Sequence, residues 1–187
     1  MRRAIASLFL RATGWRLEGP RPAARRYVLI AAPHTSNWDL AYMLAIAALY
    51  DVSVSWMGKD ALFRGPWGAV LRRLGGIPVD RRHRGNLVRQ MADLFEKSER
   101  LALTVPAEGT RAYTPHWRSG FYHIARTANV PVVLGYLDYQ RKRGGFGPEV
   151  VLTGDMNQDM DEIRSFYSDK IGKHPECFGP VRLKEEM

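Results

Sequence analysis

The stretch Tyr27-Val28-Leu29-Ile30-Ala31-Ala32-Pro33-His34-Thr35-Ser36-Asn37-Trp38-Asp39 decides the fold. Its first six residues form a short apolar run closed by a proline, which reads as a buried strand. A polar turn follows, and then Leu40–Tyr50, an apolar run of 11 residues. That run predicts a helix from about Asp39 to Tyr50, which Ser36, Asn37 or Asp39 can cap. Strand, polar turn and helix make the opening of an α/β unit.

The same alternation continues on the C-terminal side. Val52–Met57, Ile77–Val79, Leu101–Val105, Val130–Leu137 and Val150–Thr153 read as strands. Gly65-Pro66 opens a short helix that stops at Gly75-Gly76. Asn86 can cap a helix with Leu87, Met91, Leu94 and Phe95 on one face. Ser119 starts another, with Phe121, Ile124, Ala125 and Ala128 inward, and Met160, Ile163, Tyr167 and Ile171 mark the last. The expectation is a single-domain α/β fold, a mixed, mostly parallel sheet flanked by helices. In such sheets ligands gather at loops off the strand ends. His34, Arg81 and Glu108 each lie just past an expected strand.

Residues 1–26 form a basic amphipathic N-terminal segment, and 27–187 the domain proper. The segment holds seven arginines and one acid, Glu18, with Ile5, Leu8, Phe9 and Ala12 at helical spacing and Trp15 beyond. It reads either as an interfacial anchor or as a terminal helix packed on the core with solvated arginines. Ala4–Leu10 is too short and too interrupted for a signal peptide, and no apolar run approaches the ~20 residues of a spanning helix.

A length of 187 residues fits one domain, and 45% hydrophobic residues can build its core. The net charge of +9 predicts anionic partners: nucleic acid, anionic lipid or a phosphorylated substrate. Cys177 is the one cysteine, so an internal disulfide and a cysteine zinc site are excluded. Its tail position, with no paired base in view, speaks against a covalent thiol route.

Three constellations carry chemistry. His34 and Asp39 stand five apart across a strand-to-helix turn, so the carboxylate can fold back on one imidazole nitrogen and leave the other free as a base. Spacing alone favours the blander reading, a helix-capping Asp beside a polar loop His. In Glu108-Gly109-Thr110-Arg111, Gly109 permits an unusual backbone angle and Arg111 offers a phosphate fork. The bland reading is a surface turn with a solvated ion pair. Gly76-Ile77-Pro78-Val79-Asp80-Arg81 delivers Arg81 into a cluster with Arg72, Arg73, Arg82 and Arg84, a local anion trap or, for the outer arginines, a solvated loop. No spacing of His, Asp and Glu supports a metal.

Taken together, His34-x4-Asp39, Gly75-x-Ile77-x-x-x-Arg81, Glu108-Gly109-Thr110-Arg111 and the Val130-Pro131-Val132-Val133 strand resemble the glycerolipid acyltransferase family, which includes lysophosphatidic acid acyltransferases. The likeness spans roughly residues 27–137 and points to a compact bacterial-type member. It implies a groove for the acyl chain and transfer from acyl-CoA or acyl-carrier protein to a hydroxyl, with no cofactor. It implies His34 as general base, Asp39 as its orienter, Glu108, Gly109, Thr110 and Arg111 at the acceptor, Arg81 on its phosphate, and Lys59 assisting. Pro33 stands where the family has Asn, and Ala107 is inserted into the usual Phe-Pro-Glu-Gly. Oxyanion donors are expected around Gly109 or at the start of the helix after Asp39.

The partners expected are therefore an acyl thioester, a phosphorylated lipid-type acceptor and a membrane surface, in a cytoplasmic protein peripheral to the inner face of the cell membrane. No nucleic acid is expected, because aromatics do not interleave with Lys and Arg on one face. Two other classes remain open: a basic nucleic-acid-binding domain, and a thioester or phosphate-ester hydrolase using the same His and Asp.

Overall fold

The computed structural model describes residues 2–79 and 84–186, with 84–86 as backbone alone. In chain order the elements are α1 (Arg2–Thr13), β1 (Arg16–Glu18), β2 (Arg26–Ala32), α2 (Trp38–Tyr50), β3 (Val54–Lys59), α3 (Gly68–Arg73), β4 (Gly76–Val79), α4 (Arg84–Lys97), β5 (Leu101–Val105), α5 (Gly120–Ala128), β6 (Val132–Asp138), β7 (Arg143–Val150) and α6 (Met156–Tyr167). The seven strands form one sheet in the order β1-β7-β6-β2-β5-β3-β4. Only the β6–β7 pairing is antiparallel among them. The expected α/β class, with a mostly parallel sheet, is what the chain adopts.

The central strands β2, β5 and β6 are apolar along nearly their whole length because both faces are covered. On one face Met91 and Phe95 of α4, Phe121 and Ile124 of α5, and Met160 and Ile163 of α6 pack on Ile30, Leu103, Val132 and Leu134. On the other, α2 lays Ala47 and its neighbours over Leu29, Ala102 and Val133. α1 lies against α2, burying Ala6 and Leu10 with Tyr42 and Ile46. α3 is on this second face too. Trp56 stands in register with Thr104 and Leu29, under α2, and Phe63, from the 3-10 turn Asp60–Phe63 before α3, tilts onto Trp56 at 5.9 Å.

The terminal segment is thus built into the molecule, and the helical stripe read from its sequence splits. Ala6 and Leu10 face α2, whereas Ile5 and Leu8 are 64% and 71% exposed. No helix among the described residues is long and apolar enough to cross a membrane.

Two strands escape the sequence pattern. β1 is three exposed residues, below any periodicity threshold. β7 runs Arg143–Val150, where Gly144, Gly145, Gly147 and Pro148 read as breakers, and the strand expected at Val150–Thr153 is absent. The glycine has a cause: a Cβ at Gly145 would lie 1.8 Å from the Glu18 carbonyl oxygen of the neighbouring β1. α6 ends at Tyr167, so Ile171 lies in the tail, where its carbonyl accepts from Tyr139 N–H at 2.9 Å. Helix α4 begins at Arg84, two residues before the expected cap Asn86.

Candidate active site

β2 and β5 are parallel neighbours, with Ile30 opposite Val105. Their C-terminal loops, 33–37 and 106–111, therefore leave the sheet side by side. Glu108 joins them: its Oε1 accepts the His34 backbone N–H at 2.8 Å. The Glu108 side chain is almost wholly buried, and its Oε2 has no hydrogen-bond partner among the described residues. Burial pushes its carboxyl above the ordinary value, outweighing the N–H from His34 that pulls it down. In this structure the contact of Glu108 is therefore with the His34 loop. Its carboxyl lies beneath the His34 loop, off the cavity wall.

Asp39 opens α2 and does fold back on His34, with Oδ2 3.2 Å from Nδ1. The same Oδ2 accepts the N–H groups of Thr35 and Ser36, each at 2.9 Å. Oδ1 accepts the Tyr139 hydroxyl at 2.6 Å. Burial raises the Asp39 carboxyl, but the donors from His34, Tyr139 and Ser36 outweigh it and hold the group below the usual carboxylate range. Environment therefore drives the two carboxyls beside His34 apart: Asp39 toward the anion, Glu108 toward the neutral acid. Ser36, not Asn37, serves the helix start, its Oγ accepting Trp38 N–H at 3.2 Å.

With Nδ1 engaged by Asp39, Nε2 of His34 has no partner among the described residues, and His34 lines a cavity of about 690 Å³. That volume is in the range of small-molecule sites. The cavity runs from His34, Thr110 and Arg111 at its polar end to an apolar interior beneath α2, walled by Leu29, Met43, Val54 and Phe146. Small side chains make the space: Ala31, Ala47, Gly135 and Gly145 all line it.

Gly109 adopts φ +69° in the turn after β5, which a side chain resists, and its N–H donates to Pro106 O at 3.0 Å. That N–H is consequently spent within the turn, which removes it from the expected oxyanion donors. Thr110 and Arg111 are exposed at the cavity mouth. Ala107, the insertion, is buried, and its carbonyl accepts from Arg118 N–H at 2.7 Å. Lys59 ends β3 at the same edge of the sheet but is exposed and outside the cavity wall. Arg81, with Asp80, Arg82 and His83, lies outside the described residues.

Two participants were not read from the sequence. Arg118 lines the cavity beside Arg111. It sits two residues past His116 and one before the helix-capping Ser119, in a segment with no periodicity. Tyr139 reaches Asp39 from the end of β6, a hundred residues away, and no local spacing announces it. The C-terminal tail braces the His34 loop as well: His174 N–H donates to Thr35 Oγ1 at 3.2 Å, and Lys173 lies over the Trp38 ring.

The sequence model of a protein family described as Acyltransferase matches residues 15–134. Among solved structures, the chain is similar to the 1-acyl-sn-glycerophosphate (LPA) acyltransferase PlsC from Thermotoga maritima, with a TM-score of 0.57 and 14% sequence identity. The superposition covers 90% of this chain and 74% of that one. The comparison with curated proteins finds no match.

Proposed function

This chain belongs to the acyltransferase family, and from that footing we propose that it moves a fatty acyl group from acyl-CoA or acyl-carrier protein to a hydroxyl of a lysophospholipid or glycerol-phosphate-type acceptor. The observation that carries the reading is the Asp39–His34 pair at the polar end of an apolar cavity. In the proposed reaction Nε2 of His34 takes the proton of the acceptor hydroxyl as its oxygen attacks the thioester carbonyl. Asp39 stabilises the imidazolium through Nδ1. The tetrahedral intermediate expels the thiolate, which recovers the proton from His34, so the products are an ester and a free thiol. The acyl chain occupies the apolar interior. Arg111 and Arg118, exposed at the mouth and without an acidic partner among the described residues, supply forks for the acceptor's phosphate. Glu108 fixes the His34 loop instead of touching substrate. The donor is a co-substrate, and no cofactor enters the scheme.

The acceptor class comes from the charged mouth and from the likeness to the Thermotoga maritima protein, a 1-acyl-sn-glycerophosphate (LPA) acyltransferase. We also place residues 1–26 and α3 at a membrane. The face shared by α1, α2 and α3 exposes Ile5, Leu8, Leu40, Leu62, Trp67 and Val70, among exposed Arg2, Arg3, Arg11, Arg64 and Arg73. Apolar side chains within a basic rim suit an anionic lipid surface, which fits a cytoplasmic protein peripheral to the inner face of the cell membrane.

The deciding experiment supplies palmitoyl-CoA with lysophosphatidic acid, glycerol 3-phosphate or neither, and follows thiol release and acylated product by mass spectrometry. Acceptor-dependent ester that disappears in His34→Ala is expected. Free fatty acid formed at the same rate without acceptor would make the protein a hydrolase, and undiminished turnover in His34→Ala would remove the base.

A further inference from the structure

We propose that Tyr139 is a positioning residue for the base: its hydroxyl, donated to Asp39 Oδ1 at 2.6 Å, fixes the rotation of the carboxylate that holds His34. This rests on the reading of His34 as the general base. The two Asp39 oxygens are loaded unequally. Oδ2 meets three groups, the Thr35 and Ser36 N–H groups and His34 Nδ1. Oδ1 has Tyr139 as its one donor among the described residues. An aspartate's terminal torsion is broad and roughly two-fold, so donors crowded on one oxygen leave the plane of the carboxylate loosely set. A donor on the other oxygen sets it, and with it the line from Oδ2 to Nδ1.

The hydroxyl is itself held from several directions. The Tyr139 ring meets Trp15 edge-on at a centroid distance of 4.9 Å and Tyr42 at 5.8 Å. Trp15 stacks on Tyr42 at 4.3 Å, which closes a three-ring cluster. The Tyr139 backbone N–H is tied to Ile171 O at 2.9 Å. Contributions from the α1–β1 join, from α2 and from the tail thus converge on one phenol. Packing explains the ring; it does not explain why a half-buried hydroxyl turns from solvent to the carboxylate oxygen that the backbone leaves free. The N-terminal segment thereby contributes to the site without touching it, through Trp15.

Tyr139→Phe deletes the hydroxyl and keeps the ring cluster. Two readouts separate positioning from packing. The first is titration of the Asp39 carboxyl by 13C NMR, assigned by its loss in Asp39→Asn. The titratable groups facing Asp39 and Tyr139, namely His34 and Glu108 for the first and Tyr42 for the second, all persist in the variant, so only the Tyr139 donor is removed. The Asp39 midpoint is expected to move up, since a donor that favours the anion is lost. The second is steady-state kinetics, in which kcat is expected to fall roughly tenfold with both KM values within about twofold. An unmoved Asp39 midpoint, an unchanged kcat, or a loss expressed only in KM would each overturn the proposal. Wild type and His34→Ala run alongside: transfer that does not depend on His34 defeats the functional reading, while the titration, which needs no substrate, still decides whether Tyr139 governs Asp39.

Discussion

Asp39→Asn isolates the charge of Asp39 from its geometry. Two orientations of the new amide are available. With the amide oxygen in the place of Oδ2, the Thr35 and Ser36 N–H groups keep their acceptor and His34 Nδ1–H still meets an oxygen. With the amide nitrogen there, both N–H groups are buried without partners, at about 1–3 kcal/mol each. The first orientation wins by several kcal/mol, so the His34 tautomer survives the substitution and the negative charge does not. The size of that loss follows from the 3.2 Å separation. Opposite unit charges at that distance attract by about 5 kcal/mol at an effective dielectric of about 20. The imidazolium is only partly formed in the transition state, so roughly half to most of this is forfeited, a fall in kcat of about 100- to 3,000-fold. The acceptor KM should stay nearly constant, because ground-state binding does not use the imidazolium. Thiol release from palmitoyl-CoA with lysophosphatidic acid, measured across acceptor concentrations, reads both quantities. A variant within tenfold of wild-type kcat, or one whose loss lies in KM, refutes the role assigned to the charge.

Burial pushes the Glu108 carboxyl toward the neutral acid, so Glu108→Gln should hold the fold while Glu108→Ala, which strands the His34 N–H and leaves a void, should cost about 2–4 kcal/mol in denaturant melts. The sign with pH follows from a folded-state carboxyl raised above its unfolded value. The native state holds the proton more tightly, so wild type loses stability as pH rises from about 4 through the raised midpoint, and Gln does not. The Tm of Glu108→Gln relative to wild type is therefore expected to climb between pH 4 and pH 8; a constant difference would contradict the assignment. For the proposed membrane face, Leu8→Ser and Trp67→Ala should each weaken co-sedimentation with anionic vesicles about tenfold or more with Tm unchanged, because both side chains are exposed. Equal binding by both variants and wild type would move the lipid contact elsewhere. Deleting residues 1–16 is a poorer test, since it also removes buried Leu10 and Trp15.

How much of this was legible in the sequence depends on the range of the interaction involved. β2, β5 and β6 announce themselves because strands covered on both faces must be apolar throughout, and that requirement is written residue by residue. β7 is the opposite case. Its Gly145 is demanded by the approach of β1, a contact across more than a hundred residues, and read locally its glycines break a strand. The split stripe on α1 has a related cause. Helical spacing identifies an apolar surface, yet only the position of α2 determines that Ala6 and Leu10 are covered and that Ile5 and Leu8 are left outside.

The candidate site divides along the same line. His34 and Asp39 are close in sequence, and a turn of that length brings Nδ1 to Oδ2 by itself. Glu108 was legible as part of a motif, but its contact with the His34 loop was not. A carboxylate beside a Gly-Thr-Arg turn looks solvent-facing until the β2–β5 register puts it under the neighbouring loop, where it meets a backbone N–H. Tyr139 was illegible, since its relation to Asp39 exists only once β6 is laid beside β2 and α2 crosses above them. The local motif therefore specifies the groups to which proton transfer is assigned in the proposed reaction, and the sheet register specifies what holds them still. That division explains why the arginines proposed to meet the acceptor's phosphate, Arg111 and Arg118, can sit on exposed loops at the mouth. Recognition of a phosphate tolerates a mobile guanidinium, whereas a base that must meet a hydroxyl within hydrogen-bond reach does not.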